Sequence, residues 1–141
     1  MIQENVHYER ITHKVYKYRC IKPFKNYTRL KGYHLEHEYF TLYSDGVLII
    51  KWGYCSDGVS GPTVDDDTNI QAAFLHDALY QMLRLGLIGK DSKQFKRDRK
   101  LADLSFYYQL KRDGMPYIRR WYYYWAVRIF GKKHATPSAM Q

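Results

Sequence analysis

Residues 52–80 constrain the fold more than any other stretch of the chain, because a loop rich in turn residues leads there directly into a helical pattern. The loop contains the dipeptides Asp57-Gly58 and Gly61-Pro62, which are typical of tight turns. Loops with such forced geometry can bind anions or metal ions through their backbone groups. Turn residues also occur where a loop only reverses the chain, so a binding loop and a purely structural connection both remain open.

The pattern after this loop predicts an amphipathic helix. Thr68 and Gln71 have the spacing of a capping box, and Gly86 fits the position just past a helix C-terminus. Between them, apolar residues recur at helical spacing: Ile70, Ala73, Phe74, Ala78 and Met82. His76 and Tyr80 are four residues apart, and Asp77 precedes Tyr80 by three, so all three side chains are expected on one side of the helix.

The length of 141 residues fits one domain with its own hydrophobic core. We expect residues 1–131 to form this domain and residues 132–141 to form a flexible tail. No stretch reaches the roughly 18 apolar residues of a transmembrane helix, and the first residues lack the apolar segment of a signal peptide. The two cysteines, Cys20 and Cys55, cannot supply a disulfide framework.

The charge of the chain indicates an anionic partner. Its 23 Lys and Arg residues outnumber 14 Asp and Glu residues, which gives a formal net charge of +9. The partner could be nucleic acid, an anionic membrane surface or an acidic protein face. The basic residues concentrate in residues 22–31, 93–100 and 119–133. In the first segment they are interleaved with aromatic residues, a pattern that can bind single-stranded nucleic acid or simply cover a solvated surface.

The patterns together predict an α+β fold, with a small N-terminal antiparallel sheet followed by three helices. Ser44-Asp45-Gly46 predicts the turn of a hairpin, and residues 47–52, which are rich in β-branched and other apolar side chains, predict a buried strand after it. After the first helix, a second is expected to begin with Ser92 as its N-cap and to end before Gly114.

The third predicted helix runs from Pro116, at its first position, to Gly131. One face of it is strongly apolar and contains Ile118, Trp121, Tyr122, Trp125, Ile129 and Phe130. An aromatic and basic helix of this kind can lie on a membrane surface, whereas a helix that packs on the core has the same pattern. We expect the apolar face to pack on the core.

Four polar residues are candidates for a site: Asp57, His76, Asp77 and Asp103. A buried carboxylate is costly unless it is paired or bound to a metal. Asp103, on the neighbouring helix, could orient the ring of His76, which would then act as a general base on water. Asp77, together with Asp57 and loop carbonyls, could hold a hard cation such as calcium. The same residues could instead form a structural network. In both cases His76 is predicted to lie within hydrogen-bond reach of Asp103, with Asp57 nearby.

Four segments, in this order along the chain, resemble one known family. They are residues 57–62 (DGVSGP), 73–80 (AFLHDALY), 102–103 (AD) and 126–131 (AVRIFG). The family is the domain-of-unknown-function 1353 family of tailed phages and prophages. The resemblance implies a phage-derived protein, located in the host cytoplasm or in the virion, and supplies no activity.

The His-Asp helix also resembles that of the secreted phospholipases A-two, in which a glycine-rich calcium loop precedes a His-Asp-x-x-Tyr helix and an Asp follows on a further helix. This resemblance implies that His76 is the base, Asp77 the calcium ligand, and Tyr80 and Asp103 the supporting residues. The chain lacks that family's disulfide scaffold and the Tyr-x-Gly-x-Gly spacing of its calcium loop.

These observations lead to three hypotheses of function. The first is a metal-assisted hydrolase of esters or phosphoesters, with His76, Asp103 and Tyr80 as catalytic residues, Asp77 and Asp57 as metal ligands, and calcium as the possible cofactor. The second is a non-enzymatic phage virion or tail component, in which the same cluster is structural. The third is a basic nucleic-acid-binding module.

Overall fold

The computed structural model describes residues 2–59 and 63–137. Within them, two small antiparallel sheets precede four helices, so the predicted α+β arrangement is confirmed. The strands are β1 (Tyr8–Arg10), β2 (Tyr18–Cys20), β3 (Phe24–Tyr27), β4 (Leu35–Glu36), β5 (Phe40–Leu42), β6 (Val47–Ile50) and β7 (Cys55–Ser56). The helices are α1 (Ile70–Arg84), α2 (Ser92–Arg112), α3 (Tyr117–Phe130) and α4 (Lys132–Ala135).

The hairpin predicted around Ser44-Asp45-Gly46 connects β5 to β6. Gly46 has a φ angle of +92°, a backbone conformation that glycine adopts without steric cost. The register pairs Phe40 with Ile50 and Leu42 with Leu48. The strand order β3-β6-β5-β4 places β6 inside its sheet, and the second sheet has the order β1-β2-β7.

Helix α1 is the central element of the core. It contacts α2, α4, β6 and β7, and its residues Phe74, Leu75, Leu79 and Met82 are fully buried against residues of the strands. Because almost every side of α1 is covered by protein, a polar residue on this helix must find a partner inside the fold. This constraint applies directly to His76 and Asp77.

The start of α1 differs from the prediction. Asn69 is the N-cap residue, and the capping box of Thr68 and Gln71 does not form. The backbone N–H and the hydroxyl of Thr68 both donate to Asp66 Oδ1. The Gln71 side chain is buried and accepts a hydrogen bond from the N–H of Val6 at 3.1 Å. A tertiary contact with the N-terminal segment therefore replaces the local cap.

Two further helix starts move by one residue. Asp91, rather than Ser92, is the N-cap of α2, and its carboxylate accepts from the N–H of Gln94. Pro116 is the N-cap of α3, so that the first helical residue is Tyr117. The predicted ends are correct, since α1 and α2 stop shortly before Gly86 and Gly114, both at positive φ.

The prediction for the buried face of α3 is wrong. Its core-facing residues are Tyr123, Tyr124, Ala126 and Val127. The face that we expected to pack is exposed, with Ile118 83% and Trp125 55% accessible. The side of α3 that meets the protein thus contains two small residues, which allow close approach to α2, whereas the larger apolar residues point outward.

Regular structure continues past the boundary predicted at residue 131. Lys132–Ala135 form α4, and Ala135 is completely buried in the core that surrounds α1. The last part of the predicted tail, residues 138–141, lies outside the described residues. In the described part of the chain, no helix has both the length and the hydrophobicity needed to cross a membrane.

Candidate active site

His76 on α1 and Asp103 on α2 form a buried pair at the interface of the two helices. His76 Nε2 lies 2.7 Å from Asp103 Oδ1, and the hydroxyl of Tyr80 donates to the same carboxylate oxygen at 2.6 Å. Asp103 is completely buried, and His76 is 6% exposed. The predicted contact between His76 and Asp103 is therefore present, and Tyr80 joins it from one turn further along α1.

Two arginines outside the predicted site, Arg128 and Arg99, complete this cluster. Arg128 on α3 donates from Nη1 to Asp103 Oδ2 at 2.8 Å. Arg99 on α2 donates from Nε to the Tyr80 hydroxyl at 3.1 Å and from Nη2 to the backbone carbonyl of Arg128 at 2.6 Å. Arg99 precedes Asp103 by one helical turn, so its spacing was a usable signal. Nothing in the local sequence connects Arg128 to this carboxylate.

The environment keeps Asp103 ionised. Burial by itself would raise its pKa, but the hydrogen bond and charge of His76, together with the hydrogen bonds from Tyr80 and Arg128, outweigh burial and lower the pKa. For Tyr80 the direction is opposite, because burial and the adjacent Asp103 charge raise the pKa of its hydroxyl. Tyr80 therefore stays a hydrogen-bond donor.

An ionised Asp103 also selects the tautomer of His76. A carboxylate accepts hydrogen bonds but donates none, so the proton of a neutral His76 ring must lie on Nε2. Nδ1 is then the nitrogen with a lone pair that can accept a proton. This is the arrangement in which a carboxylate orients an imidazole for general-base work.

A cavity of about 460 Å³ opens next to this pair. Its lining brings together side chains from α1, from the segment around β7, from residues 15–16 and from α4, and includes His76, Asp77, Tyr80, Arg84, Tyr54, Cys55, Asp57 and His134. All residues of the predicted site except Asp103 line this cavity, and Asp103 lies directly behind His76. Arg84 and His134 were not predicted, and they add positive charge and an imidazole to the same space.

Asp77 lies in this cavity beside Asp57. Its Oδ2 accepts a hydrogen bond from Ser56 Oγ at 2.6 Å, and Ser56 Oγ accepts one from the N–H of Gly58 at 3.1 Å. Burial, followed by the charge of Asp57, raises the pKa of Asp77 well above its usual value. The Asp77 carboxyl is therefore favoured in its protonated form, or with a cation to compensate its charge.

A family model described as "Protein of unknown function (DUF1353)" matches residues 34–127. The chain belongs to the DUF1353 family. The matched region extends from just before β4 into the last turn of α3, and so it contains Asp57, His76, Asp77, Tyr80 and Asp103. The search of curated proteins and the search of solved structures gave no match.

The oxygen donors of this DUF1353 protein are compatible with a hard cation but do not form a complete side-chain site. In residues 2–59 and 63–137, no group of three or more His, Cys, Asp or Glu side chains could hold a metal ion. Asp57 and Asp77 supply two carboxyl groups, and calcium takes further ligands from backbone carbonyls and water. The loop residues Ser60, Gly61 and Pro62 lie outside the described residues. Calcium binding therefore stays a prediction.

Proposed function

We propose that this protein is a phage-encoded hydrolase of ester or phosphoester substrates, active in the host cytoplasm or in the virion, with His76 as the general base. The observation that supports the proposal most directly is that His76 joins a buried, ionised carboxylate on one side to a cavity on the other. A purely structural histidine needs no such opening. The cavity of about 460 Å³ also has the size of a small-molecule site.

The chemistry of this dyad is that of water activation. His76 Nδ1 accepts a proton from a water molecule while the resulting hydroxide attacks the carbonyl carbon or the phosphorus of the substrate. The imidazolium is stabilised by the Asp103 carboxylate through Nε2. His76 then returns the proton to the leaving oxygen, so that water has been added across the ester bond and the protein is unchanged.

The other polar residues have supporting roles in this proposal. Tyr80 and Arg128 hold Asp103 in place through their hydrogen bonds, and so they act as positioning residues. Asp57 and Asp77 would hold calcium if it binds, and the cation would polarise the carbonyl or phosphoryl oxygen under attack. Arg84, at the same cavity, carries a positive charge suited to an anionic substrate group.

The test is hydrolysis of a panel of carboxylic and phosphate esters by the wild type, by His76→Asn and by Asp98→Asn, each with calcium and with a chelator. Asp98 is a matched control, because it is a second completely buried aspartate of α2 and accepts from Tyr33 and from the N–H of Gly89 rather than from the cavity residues. Activity should be lost in His76→Asn and retained in Asp98→Asn. If the panel shows no hydrolysis by the wild type, or if folded His76→Asn retains the activity, the proposal is refuted.

A non-enzymatic virion or tail component is a second candidate, and one observation favours it. The Asp103 carboxylate connects three helices, because its partners lie on α1 and α3. Such a network could serve only to fix the fold. In that case His76→Asn would lower the free energy of unfolding by about 1–3 kcal/mol, through loss of a buried hydrogen bond, and the wild type would hydrolyse nothing.

A nucleic-acid-binding module is a third candidate, supported by a second cavity of about 630 Å³. Basic residues that are distant in sequence meet there: Arg29 and Lys31 from the segment 22–31, Arg97 from the segment 93–100, and Lys90 from just before α2. Binding to phosphates would weaken steeply as salt is raised, because each contact releases counterions. Titration of labelled single-stranded DNA and RNA at several salt concentrations, with Lys31→Gln/Lys90→Gln as the variant, measures this directly.

A further inference from the structure

Helix α3 presents a continuous apolar surface to the outside of the molecule. We call it the α3 aromatic face, and it consists of Tyr117, Ile118, Trp121, Tyr122, Trp125 and Ile129. Their exposed fractions range from 37% for Trp121 to 83% for Ile118. At 100° per residue these six positions fall on one side of the helix. Contiguous exposed apolar surface of this kind marks an interaction site in soluble proteins.

The fold uses only part of the α3 aromatic face, since Trp121 packs against Tyr107 and Tyr124 while Ile118 and Ile129 are 83% and 67% exposed. The opposite side of α3 already supplies Tyr123 and Val127 to the cluster around Phe106 and Leu110 of α2. Trp121 lies against the ring of Tyr107, with centroids 4.9 Å apart and ring planes tilted by 43°, and it still leaves 37% of its surface accessible. Large apolar side chains thus point outward although the helix has a complete inner face.

The charges near this face favour an anionic partner. Helix α3 contains no acidic residue, and the exposed residues Lys132 and Lys133 follow it directly in α4. In residues 111–133 there are seven Lys and Arg residues against one acidic residue, Asp113. The charges of two of them are compensated within the fold, because Arg119 pairs with Asp66 and Arg128 with Asp103, and the remaining balance is still positive. The net charge of +9 opposes pairing with a second copy of the chain, since like charges repel.

From these observations we infer that the α3 aromatic face binds the surface of an anionic phospholipid membrane. Trp and Tyr are the residues that concentrate at membrane–water interfaces, and a helix of 14 residues, about 21 Å long, can lie in the interface plane with its apolar side among the headgroups. Lys132 and Lys133 then approach the lipid phosphates. The exposed side of a helix is convex, so a protein partner would need a matching groove, whereas a lipid layer can adapt to it. The inference is independent of hydrolysis at His76.

The test uses the full chain with Trp52→Phe as background, because Trp52 is 64% exposed elsewhere and would obscure the signal. Vesicles of phosphatidylcholine alone are compared with vesicles containing phosphatidylglycerol. The fluorescence of Trp121 and Trp125 should shift to the blue, and the protein should sediment with the vesicles, only when the anionic lipid is present. Binding should weaken as salt is raised.

Matched double variants separate this face from general hydrophobicity. Ile118→Ser/Ile129→Ser removes two exposed side chains from the face, whereas Val64→Ser/Leu85→Ser removes two exposed side chains from elsewhere. The first pair should lose vesicle affinity at least about tenfold, since each lost methylene of insertion weakens binding, and the second pair should bind as the background protein does.

Three results would overturn the inference. The first is no vesicle binding at low salt, and the second is equal binding by the two double variants. The third is concentration-dependent dimerisation that Ile118→Ser/Ile129→Ser abolishes, which would identify a second copy of the chain as the occupant. Circular dichroism and the urea midpoint of each variant verify that the fold is intact, which is expected because Ile118 and Ile129 contribute little to the core.

Discussion

Asp103→Asn is the most informative single substitution in this structure. The wild-type carboxylate accepts hydrogen bonds from His76, Tyr80 and Arg128 at 2.7, 2.6 and 2.8 Å. Asparagine has nearly the same shape, but its amide nitrogen donates hydrogen bonds and cannot accept them. In the variant, this nitrogen would therefore face at least one of the groups that donate to the wild-type carboxylate. The substitution also removes the negative charge that compensates Arg128.

The expected magnitude follows from these contacts. Breaking a buried ion pair by removing one partner costs about 3–5 kcal/mol. A quarter of the Arg128 side chain is accessible, so water can partly solvate the guanidinium that is left behind. We therefore expect Asp103→Asn to lower the free energy of unfolding by about 3 kcal/mol, at the lower end of that range, as measured by urea denaturation at pH 7.

The dependence on pH gives an independent test of the cause. Since the folded environment lowers the pKa of Asp103, its contribution to stability is present above its ordinary pKa of 3.8 and is lost as the pH falls through the lower, folded value. The difference in unfolding free energy between the wild type and Asp103→Asn should thus be full at pH 7 and should shrink below pH 3.8.

The same variant tests the tautomer. Nitrogen-15 spectra of the wild type should show His76, when neutral, protonated at Nε2, and Asp103→Asn should lose this preference. The reasoning is refuted if the variant costs less than about 1 kcal/mol, the net value of one ordinary hydrogen bond, or if the His76 tautomer does not change. Asp98→Asn controls for the general cost of altering a buried aspartate of α2, and it should leave the His76 spectrum unchanged.

Three other substitutions test separate parts of the structure. The folded environment raises the pKa of Asp77, so the stability that protonated Asp77 contributes is lost as the pH rises through its pKa in the folded state. Asp77→Asn should therefore raise the Tm at pH 8 and leave it nearly unchanged at pH 3.5, and a lower Tm of the variant at pH 8 in chelator would contradict this. Gly131→Ala would place a Cβ 3.0 Å from the Tyr80 ring and in contact with the Val127 carbonyl, so overpacking should lower the free energy of unfolding by about 1–3 kcal/mol. An unchanged urea midpoint would count against this close approach. Gln71→Ala should release the N-terminal segment from α1, which limited proteolysis would detect as faster cleavage before residue 8 with the rest of the chain intact.

The contact between His76 and Asp103 could be predicted because each is a polar residue among apolar neighbours on a helix. Burial makes an unpaired charge so costly that two such residues on facing helices are expected to meet. Helical spacing also fixed Tyr80 on the side of His76. These inferences need only local periodicity and one physical rule, and both hold in the structure.

The role of Arg128 depends on information that the local sequence lacks. Its partner is 25 residues away on another helix, and the contact depends on which side of α3 faces α2. Periodicity divides α3 into two apolar sides and cannot decide between them when both contain large residues. Hydrophobicity favoured the side of Trp121 and Trp125, whereas close packing selected the side with Ala126 and Val127. The same choice brought Arg128 to Asp103.

The geometry of α3 also means that membrane binding and hydrolysis can be measured separately in one protein. Arg128 extends to the buried carboxylate and leaves a quarter of its side chain accessible, whereas Ile118 and Ile129 are 83% and 67% exposed and do not contact Asp103. Substitutions at Ile118 and Ile129 leave every hydrogen bond of Asp103 in place, so they should change vesicle affinity without changing hydrolysis of a soluble ester. His76→Asn should abolish hydrolysis without changing vesicle affinity. If the outer substitutions also abolish hydrolysis of a soluble substrate, α3 cannot be a rigid element with two independent sides.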